Sequence, residues 1–384
     1  MIRYIPLVQV CDFQGGSQPP KDQWIDHEKE GYVRMLQIRD FTQPDKNNVE
    51  FVRISNTIKT CNEDDILIGR YGASVGKILT GLAGAYNVAI IKTIPDTSRL
   101  SKRFLYYYLN SPYFQNFILS VGSRAAQAGF NKDDLSDAQI PSLPLEDQSS
   151  IVTQLDKVSE LLEFRKGQLS KLDELVKSRF IEMFGNAENK IPIGELCNVT
   201  GGYSFKSGDI SNDGAIKILQ IGNVYLDNVS WETTNYLPEG YDEKYSRFML
   251  NEGDIVVALT RPIIQSLGNV KACIVKSRDL PCLLNQRVGR ITVKEGKNIF
   301  LEFIYSCLMT DDFTKYVESC SIGCSQPNIS TKDIENYLIP NAPYEEQKLF
   351  AEFKKQTEKL KSEIKESLEK LETLKKSLMQ KYFG

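Results

Sequence analysis

The residues nearest to a recognisable chemistry are Gly72-Ala73-Ser74-Val75-Gly76-Lys77-Ile78. A phosphate-gripping loop needs four residues between its glycines and a Ser or Thr after the lysine, so that amides wrap the phosphate and the hydroxyl meets magnesium. Here three residues separate the glycines and isoleucine follows Lys77. The stretch reads instead as a tight loop whose glycines let Arg70, Tyr71 and Lys77 point outward. A Ser, His, acid relay would have to use His27, the one histidine, which lies in a polar loop without a nucleophile motif. The eight cysteines, Cys11, Cys61, Cys197, Cys273, Cys282, Cys307, Cys320 and Cys324, lack zinc-ligand spacing and read as reduced, mostly buried thiols. Asp64-Asp65 and Asp311-Asp312 read as turn and helix-start residues. The expectation is no catalytic, metal or cofactor-binding residue in this chain.

What several loops do offer is long planar donors and acceptors beside basic side chains, the equipment for reading base edges and holding phosphate. In the first half these are Lys21, Arg39, Arg70, Tyr71, Lys77, Arg124 and Gln127; in the second, Lys206, Arg261, Gln286, Arg287 and Gln326. Arg70 and Arg261 both follow an Asp-Ile-aliphatic segment by a few residues, which suggests matched positions. Ordinary roles are open to each: a turn arginine is usually solvated or weakly paired, Tyr71 could cap a core, and Gln286 could satisfy backbone groups in its own turn. The net charge of -3 provides no general basic field, so nucleic-acid binding would need a local basic cleft.

The elements that must position these residues repeat. DLSDAQIPSLPLEDQ from Asp134 overlays DIENYLIPNAPYEEQ from Asp333 at an offset of 199 (333 minus 134), matching Ile140-Pro141 with Ile339-Pro340 and Gln148 with Gln347. IPLVQVCDFQGG from Ile5 is echoed by IPIGELCNVTGG from Ile191, and VRMLQIRDF from Val33 by IKILQIGNV from Ile216. Asp65-Ile66-Leu67 is echoed by Asp254-Ile255-Val256. Short branched runs at 33–38, 66–68, 86–92, 216–221, 255–259 and 288–293 read as strands. Residues 100–109 and 300–308 read as helices, giving an α/β (α+β) class with mixed, curved sheets.

After each Gln comes a long charged helix. The first carries Ile151, Leu155, Val158, Leu162, Leu169, Leu172 and Val176 at alternating steps of three and four, interrupted by Arg165; the second carries Phe353, Leu360, Ile364, Leu371 and Leu378. The helix-pairing candidates are Leu155, Leu162, Leu169 and Leu172 against Phe353, Leu360, Ile364 and Leu371. The expected boundaries are 1–145 for a first globular domain, 146–185 for a central helix, 190–342 for a second domain and 345–382 for a C-terminal helix. A pseudo-twofold arrangement would make the helices an antiparallel coiled coil, a stiff spacer of about 57 Å. The N-terminus lacks the pattern of a signal peptide and no run reaches roughly 18 apolar residues, which reads as cytoplasmic.

The duplicated domain openings and helix starts resemble the DNA-specificity subunit of type I restriction-modification systems over nearly the whole chain. No Asn-Pro-Pro-Tyr or Asp-Pro-Pro-Tyr segment, with which adenine amino-methyltransferases hold their base, is found here. The resemblance implies two target-recognition domains reading the halves of a bipartite, asymmetric DNA site, with the paired helices setting the gap. It implies two DNA-methyltransferase subunits that use S-adenosylmethionine on adenine N6, and two motor-nuclease subunits that use ATP and Mg2+. The other reading of the residues is a duplicated noncatalytic adaptor or scaffold that binds protein or another nucleic acid.

Overall fold

The computed structural model describes residues 3–43, 48–122, 129–264, 266–320 and 328–384. The chain forms two compact units, Met1–Gly167 with Ile364–Gly384, and Gln168–Glu363. Both long helices, Leu145–Phe184 and Tyr344–Phe383, are 40 residues long. Each unit therefore contains the first half of one helix and the second half of the other.

In the first unit, Cys11–Gly15, Ile90–Pro95, Leu67–Gly69 and Ile78–Leu79 form a four-stranded antiparallel sheet in that order. A five-stranded sheet beside it is mixed, because Tyr32–Leu36 runs parallel to Gly84–Tyr86. The second unit repeats the first sheet with Cys197–Gly201, Val288–Val293, Ile255–Ala258 and Ala272–Ile274. Its second sheet pairs Ile216–Leu219 in parallel with Cys282–Leu284 and antiparallel with Asn235–Leu237. The α/β expectation with mixed sheets therefore describes each unit.

The repeated motifs find their physical reason in pairing. Ile5 lies opposite Ile140 in a two-stranded ladder, and Ile191 lies opposite Ile339, so each domain opening is zipped to the segment that leads into its helix. All four isoleucines except Ile191 are fully buried or nearly so. Gln148 and Gln347 are buried polar residues on the first turn of the helices. The Gln148 carboxamide accepts from Ser101 N at 2.9 Å and donates to Arg99 O at 2.7 Å and Leu143 O at 2.9 Å. The Gln347 carboxamide accepts from Phe300 N at 3.2 Å and donates to Ala342 O at 2.8 Å. Each glutamine thus satisfies backbone groups that burial would otherwise leave unpaired, at a cost of about 1–3 kcal/mol apiece. Cys11 and Cys197, on the opening strand of each sheet, are buried, and burial pushes both thiols up, to about 12 and about 11.

The Gly-Gly turns are a steric requirement. A Cβ on Gly16 would lie 2.0 Å from the carbonyl oxygen of Asn87, and one on Gly202 would lie 2.2 Å from that of Asn285. Gly16 N donates to Ile90 O and Gly202 N to Val288 O, each at 3.0 Å, which holds the backbones in contact.

Within the first unit, Ile151 and Leu155 of the first helix pack with Met379 and Phe383 of the second, and Tyr382 Oη donates to Gln154 Oε1 at 2.9 Å. Within the second, Phe180 and Phe184 pack on Phe350 with ring centroids 5.4 and 5.8 Å apart, and Lys361 Nζ meets Asp173 Oδ1 at 2.6 Å. In both, the start of one helix meets the end of the other, so the pairing is antiparallel. Leu155 and Leu162 are buried, while Leu169, Leu172, Phe353, Ile364 and Leu371 are half-buried. Leu360 is a correction: it is 49% exposed, because the seam of the second helix passes through Phe350, Lys354, Thr357, Lys361 and Ile364 at steps of four and three. Reading apolar residues alone missed two lysines that occupy core-facing positions.

Candidate nucleic-acid interface

The strand expected over 86–92 is two strands of different sheets, Gly84–Tyr86 and Ile90–Pro95, joined by a turn at 87–89. Ala89 N donates to Asn87 Oδ1 at 3.1 Å and closes it. The second unit crosses between its sheets in the same way at 285–287, between Cys282–Leu284 and Val288–Val293. In each unit this crossover turn lies beside the loop that leaves the neighbouring strand: Arg70 N donates to Ala89 O at 2.9 Å and Leu259 N to Arg287 O at 2.8 Å. The two loops and the Gly-Gly turn form a cluster at one end of each four-stranded sheet.

Strand register aligns the clusters residue by residue. Ile90 opposes Gly69 and Val288 opposes Ala258, so Arg70 corresponds to Leu259 and Gly72 to Arg261. Isolated bridges between Tyr71 and Gly129 and between Thr260 and Asn328 confirm that alignment. The supposed match of Arg70 with Arg261 is therefore wrong by two positions. Gly72 and Arg261 instead share a left-handed backbone, φ 56° and 47°. Arg287 is left-handed as well, at φ 69°. A non-glycine residue held there costs about 1–2 kcal/mol and marks a site whose surroundings impose the conformation.

In the first unit, Arg70 Nε donates to Phe130 O at 2.7 Å and its guanidinium lies 5.0 Å from the Tyr71 ring centroid. Tyr71 is 41% exposed and Lys77 is exposed at the far end of the same loop. The loop includes the one-turn helix Gly72–Ser74, and Gln115 Nε2 donates to Gly76 O at 2.9 Å. Lys21 and Arg39 lie away from this loop and converge on Glu50, Arg39 at 3.0 Å, with Gln37 Nε2 donating to the same carboxylate at 3.1 Å. Lys21 also sits 3.9 Å from the Trp24 ring centroid. In the second unit, Gln286 and Arg287 form the crossover turn, Arg261 sits on the adjacent loop and Lys206 follows the Gly-Gly turn; all four are exposed. Arg124, Gln127 and Gln326, together with Cys324, lie outside the described residues.

One basic residue escaped the sequence reading. Gly69 N donates to Lys77 O and Ala258 N to Lys271 O, so Lys271 is the counterpart of Lys77. Five additional residues, in the segment that contains the strands Ile263–Ile264 and Asn269–Val270, obscure the match in sequence. The acids behind each loop also differ in environment. Burial pushes Asp65 up, but Asn62 N, Lys102 and Lys92 more than offset it and leave its pKa lowered. Asp254 is more buried, with Arg290 at 3.8 Å, and burial raises it.

Two copies of a sheet-end loop cluster, each joined to half of a helical pair, define a duplicated recognition module. The type I restriction modification DNA specificity domain family matches residues 3–174 and 188–375. The chain is 31% identical to the type I restriction enzyme MjaVIII specificity subunit of Methanocaldococcus jannaschii over 375 residues, covering 92% of this chain and 86% of that one. It is 30% identical to the EcoAI specificity subunit of Escherichia coli over 206 residues, half of this chain and 34% of that one. Its fold matches the S subunit of a type I restriction-modification system from M. genitalium at a TM-score of 0.56, with 16% identity, covering 100% of this chain and 96% of that one. A chain solved in work on complex assembly and conformational transition of the type I R-M system matches at 0.61, with 16% identity and 99% and 97% coverage. The chain belongs to the type I restriction-modification specificity subunits, and DNA recognition is the role that follows from the family. Among the described residues, no helix is long and apolar enough to cross a membrane.

Proposed function

We propose that this chain is the noncatalytic subunit that reads a bipartite, asymmetric DNA site, one half per unit, for a cytoplasmic complex. Two methyltransferase subunits transfer the methyl group of S-adenosylmethionine to adenine N6, and two motor-nuclease subunits use ATP and Mg2+ to translocate and cut. The observation that carries this reading is the repeated loop cluster: a crossover turn held at the same strand register in both units presents different side chains, Val88-Ala89 in one and Gln286-Arg287 in the other. A shared frame with different donors is what reading two different half-sites requires. Gln286 and Arg287 address base edges; Lys77 and Lys271 hold phosphate. Residues 1–145 and 190–342 are the two target-recognition domains, and the helices fix the gap. Two linked readers make the second contact effectively intramolecular, so moderate half-site affinities combine.

The test is to co-express the chain with its methyltransferase partner and map methylated adenines on a plasmid. Exchanging residues 1–145 for those of another specificity subunit is expected to change one half of the motif and leave the other half and the gap intact. A contiguous motif, or one that changes in both halves, would refute the assignment.

A further inference from the structure

Beside the crossover turn of the second unit lies a group of aromatic rings without a counterpart among the described residues of the first. Tyr203 follows the Gly-Gly turn, and its ring packs 5.1 Å from Phe205, 4.7 Å from Tyr245 and 5.3 Å from Phe248, centroid to centroid. Tyr245 packs in turn on Phe205 at 5.2 Å and on Tyr241 at 5.2 Å. Phe205 is buried and forms the floor, while Tyr203 remains 38% exposed at the top. Core packing explains the floor; it does not explain an exposed ring held in place from three sides.

Position and charge indicate what the ring meets. Gln286 N donates to Tyr203 O at 2.8 Å and Tyr203 N donates to Leu284 O at 3.0 Å, so the ring is tied to the turn that carries Gln286 and Arg287. Two exposed lysines flank it: Lys206, three residues on, and Lys244, whose Nζ lies 5.3 Å from the Tyr241 centroid and 5.2 Å from that of Tyr245. Asp209 bonds Tyr241 at the edge of the rings, and the two lysines leave a net positive rim. A cationic rim on an apolar surface, continuous with hydrogen-bonding side chains, suits a polyanion whose bases carry an apolar group on the groove edge. In duplex DNA that group is the C5-methyl of thymine.

We propose that Tyr203 and the rings beneath it are an apolar reading surface for the second half-site, contacting the methyl edge of a thymine next to the base addressed by Gln286. This rests on the DNA-reading role proposed above and adds a specificity-determining residue to one unit only. The first unit has Ser17 at the corresponding position and Pro19 in place of Phe205, although Ser17 N makes the equivalent bond to Tyr86 O at 3.0 Å. Its half-site is read without such a surface.

That correspondence supplies the variant. Tyr203→Ser installs the residue the same backbone already carries in the first unit, and Tyr203→Phe keeps the ring. The full chain with its methyltransferase partner would be titrated against duplexes of the mapped site, with uracil replacing thymine one position at a time. Wild type and Tyr203→Phe are expected to lose about three- to tenfold affinity at one uracil position in the second half-site. Tyr203→Ser should bind the thymine duplex that much more weakly and be indifferent to uracil there; because losing the ring packing lowers its thermal midpoint, binding is compared well below that midpoint, where the variant is folded. Equal binding by Tyr203→Ser and wild type, a uracil effect that persists in Tyr203→Ser, or a second half-site without any A·T pair would overturn the proposal. Wild type that binds every uracil duplex as tightly as the thymine duplex would overturn the proposal as well, whereas wild type that binds a scrambled duplex as tightly as the mapped site would refute the DNA-reading role itself.

Discussion

The two units share a backbone frame and differ in what they place on it. At the helix seam the first unit presents Ile151, Leu155, Val158 and Leu162, whereas the positions 199 residues on are Phe350, Lys354, Thr357 and Lys361. Burial lowers the pKa of Lys354, and the nearby carboxylates of Asp227, Glu358 and Glu302 oppose that shift. Its Nζ lies 4.4 Å from the Tyr305 centroid and 3.3 Å from Ser306 Oγ. Tyr305 Oη donates to Asp227 Oδ1 at 2.7 Å, so this polar group reaches from the helix into the sheet region of the second unit. The first unit handles the junction differently: Arg103 and Tyr107 donate to Asp156 at the edge of an apolar seam. Equal geometry can thus be held by unequal chemistry. What the repeats have in common is the backbone contacts, above all the glycines and the buried glutamines.

The largest effect is expected where that shared frame is broken. Gly202→Val places a side chain against the Asn285 carbonyl, a backbone group that cannot rotate away, and should destabilise the second unit by at least about 3 kcal/mol. Urea unfolding would show it as early loss of one of two transitions. A single unshifted transition would mean that the Gly-Gly turn is not a steric constraint.

Next comes the contrast between the seams. Leu155→Ala should cost about 3 kcal/mol, as a fully buried leucine does when its site cannot collapse. Lys354→Leu should instead gain about 1 kcal/mol near neutral pH, since an apolar side chain removes the desolvation of an ammonium. The sign of the pH dependence follows. A lysine whose folded pKa lies below its ordinary 10.5 binds fewer protons when folded, so stability rises with pH across that interval. Wild type should show this rise toward pH 10 in denaturant titrations, and Lys354→Leu should show less of it. An equal rise in both would assign it to another group.

The smallest effect is expected at Leu360, where truncation to alanine should change stability by less than about 0.5 kcal/mol because the side chain faces outward. A loss comparable to that of Leu155→Ala would restore Leu360 to the seam and break the assignment of Lys354 and Lys361 to it.

Duplication, the α/β class and the two long helices were legible in the sequence, because repeated Ile-Pro, Gly-Gly and Gln positions are local and each carries a fixed backbone task. The crossover turns at 87–89 and 285–287 were not, since a strand that passes from one sheet to another keeps its apolar pattern across the turn. The match of Lys77 with Lys271 needed strand register, because five extra residues shift it in sequence but not in space; that of Gly72 rather than Arg70 with Arg261 was already implied by the offset of 189 between Asp65 and Asp254, and register confirms it. Residue types and their order determined that two similar units would form and where their helices would begin. Only tertiary structure decided which lysines face the seam and which loops meet at the sheet ends, because those depend on hydrogen bonds and contacts between segments far apart in the chain.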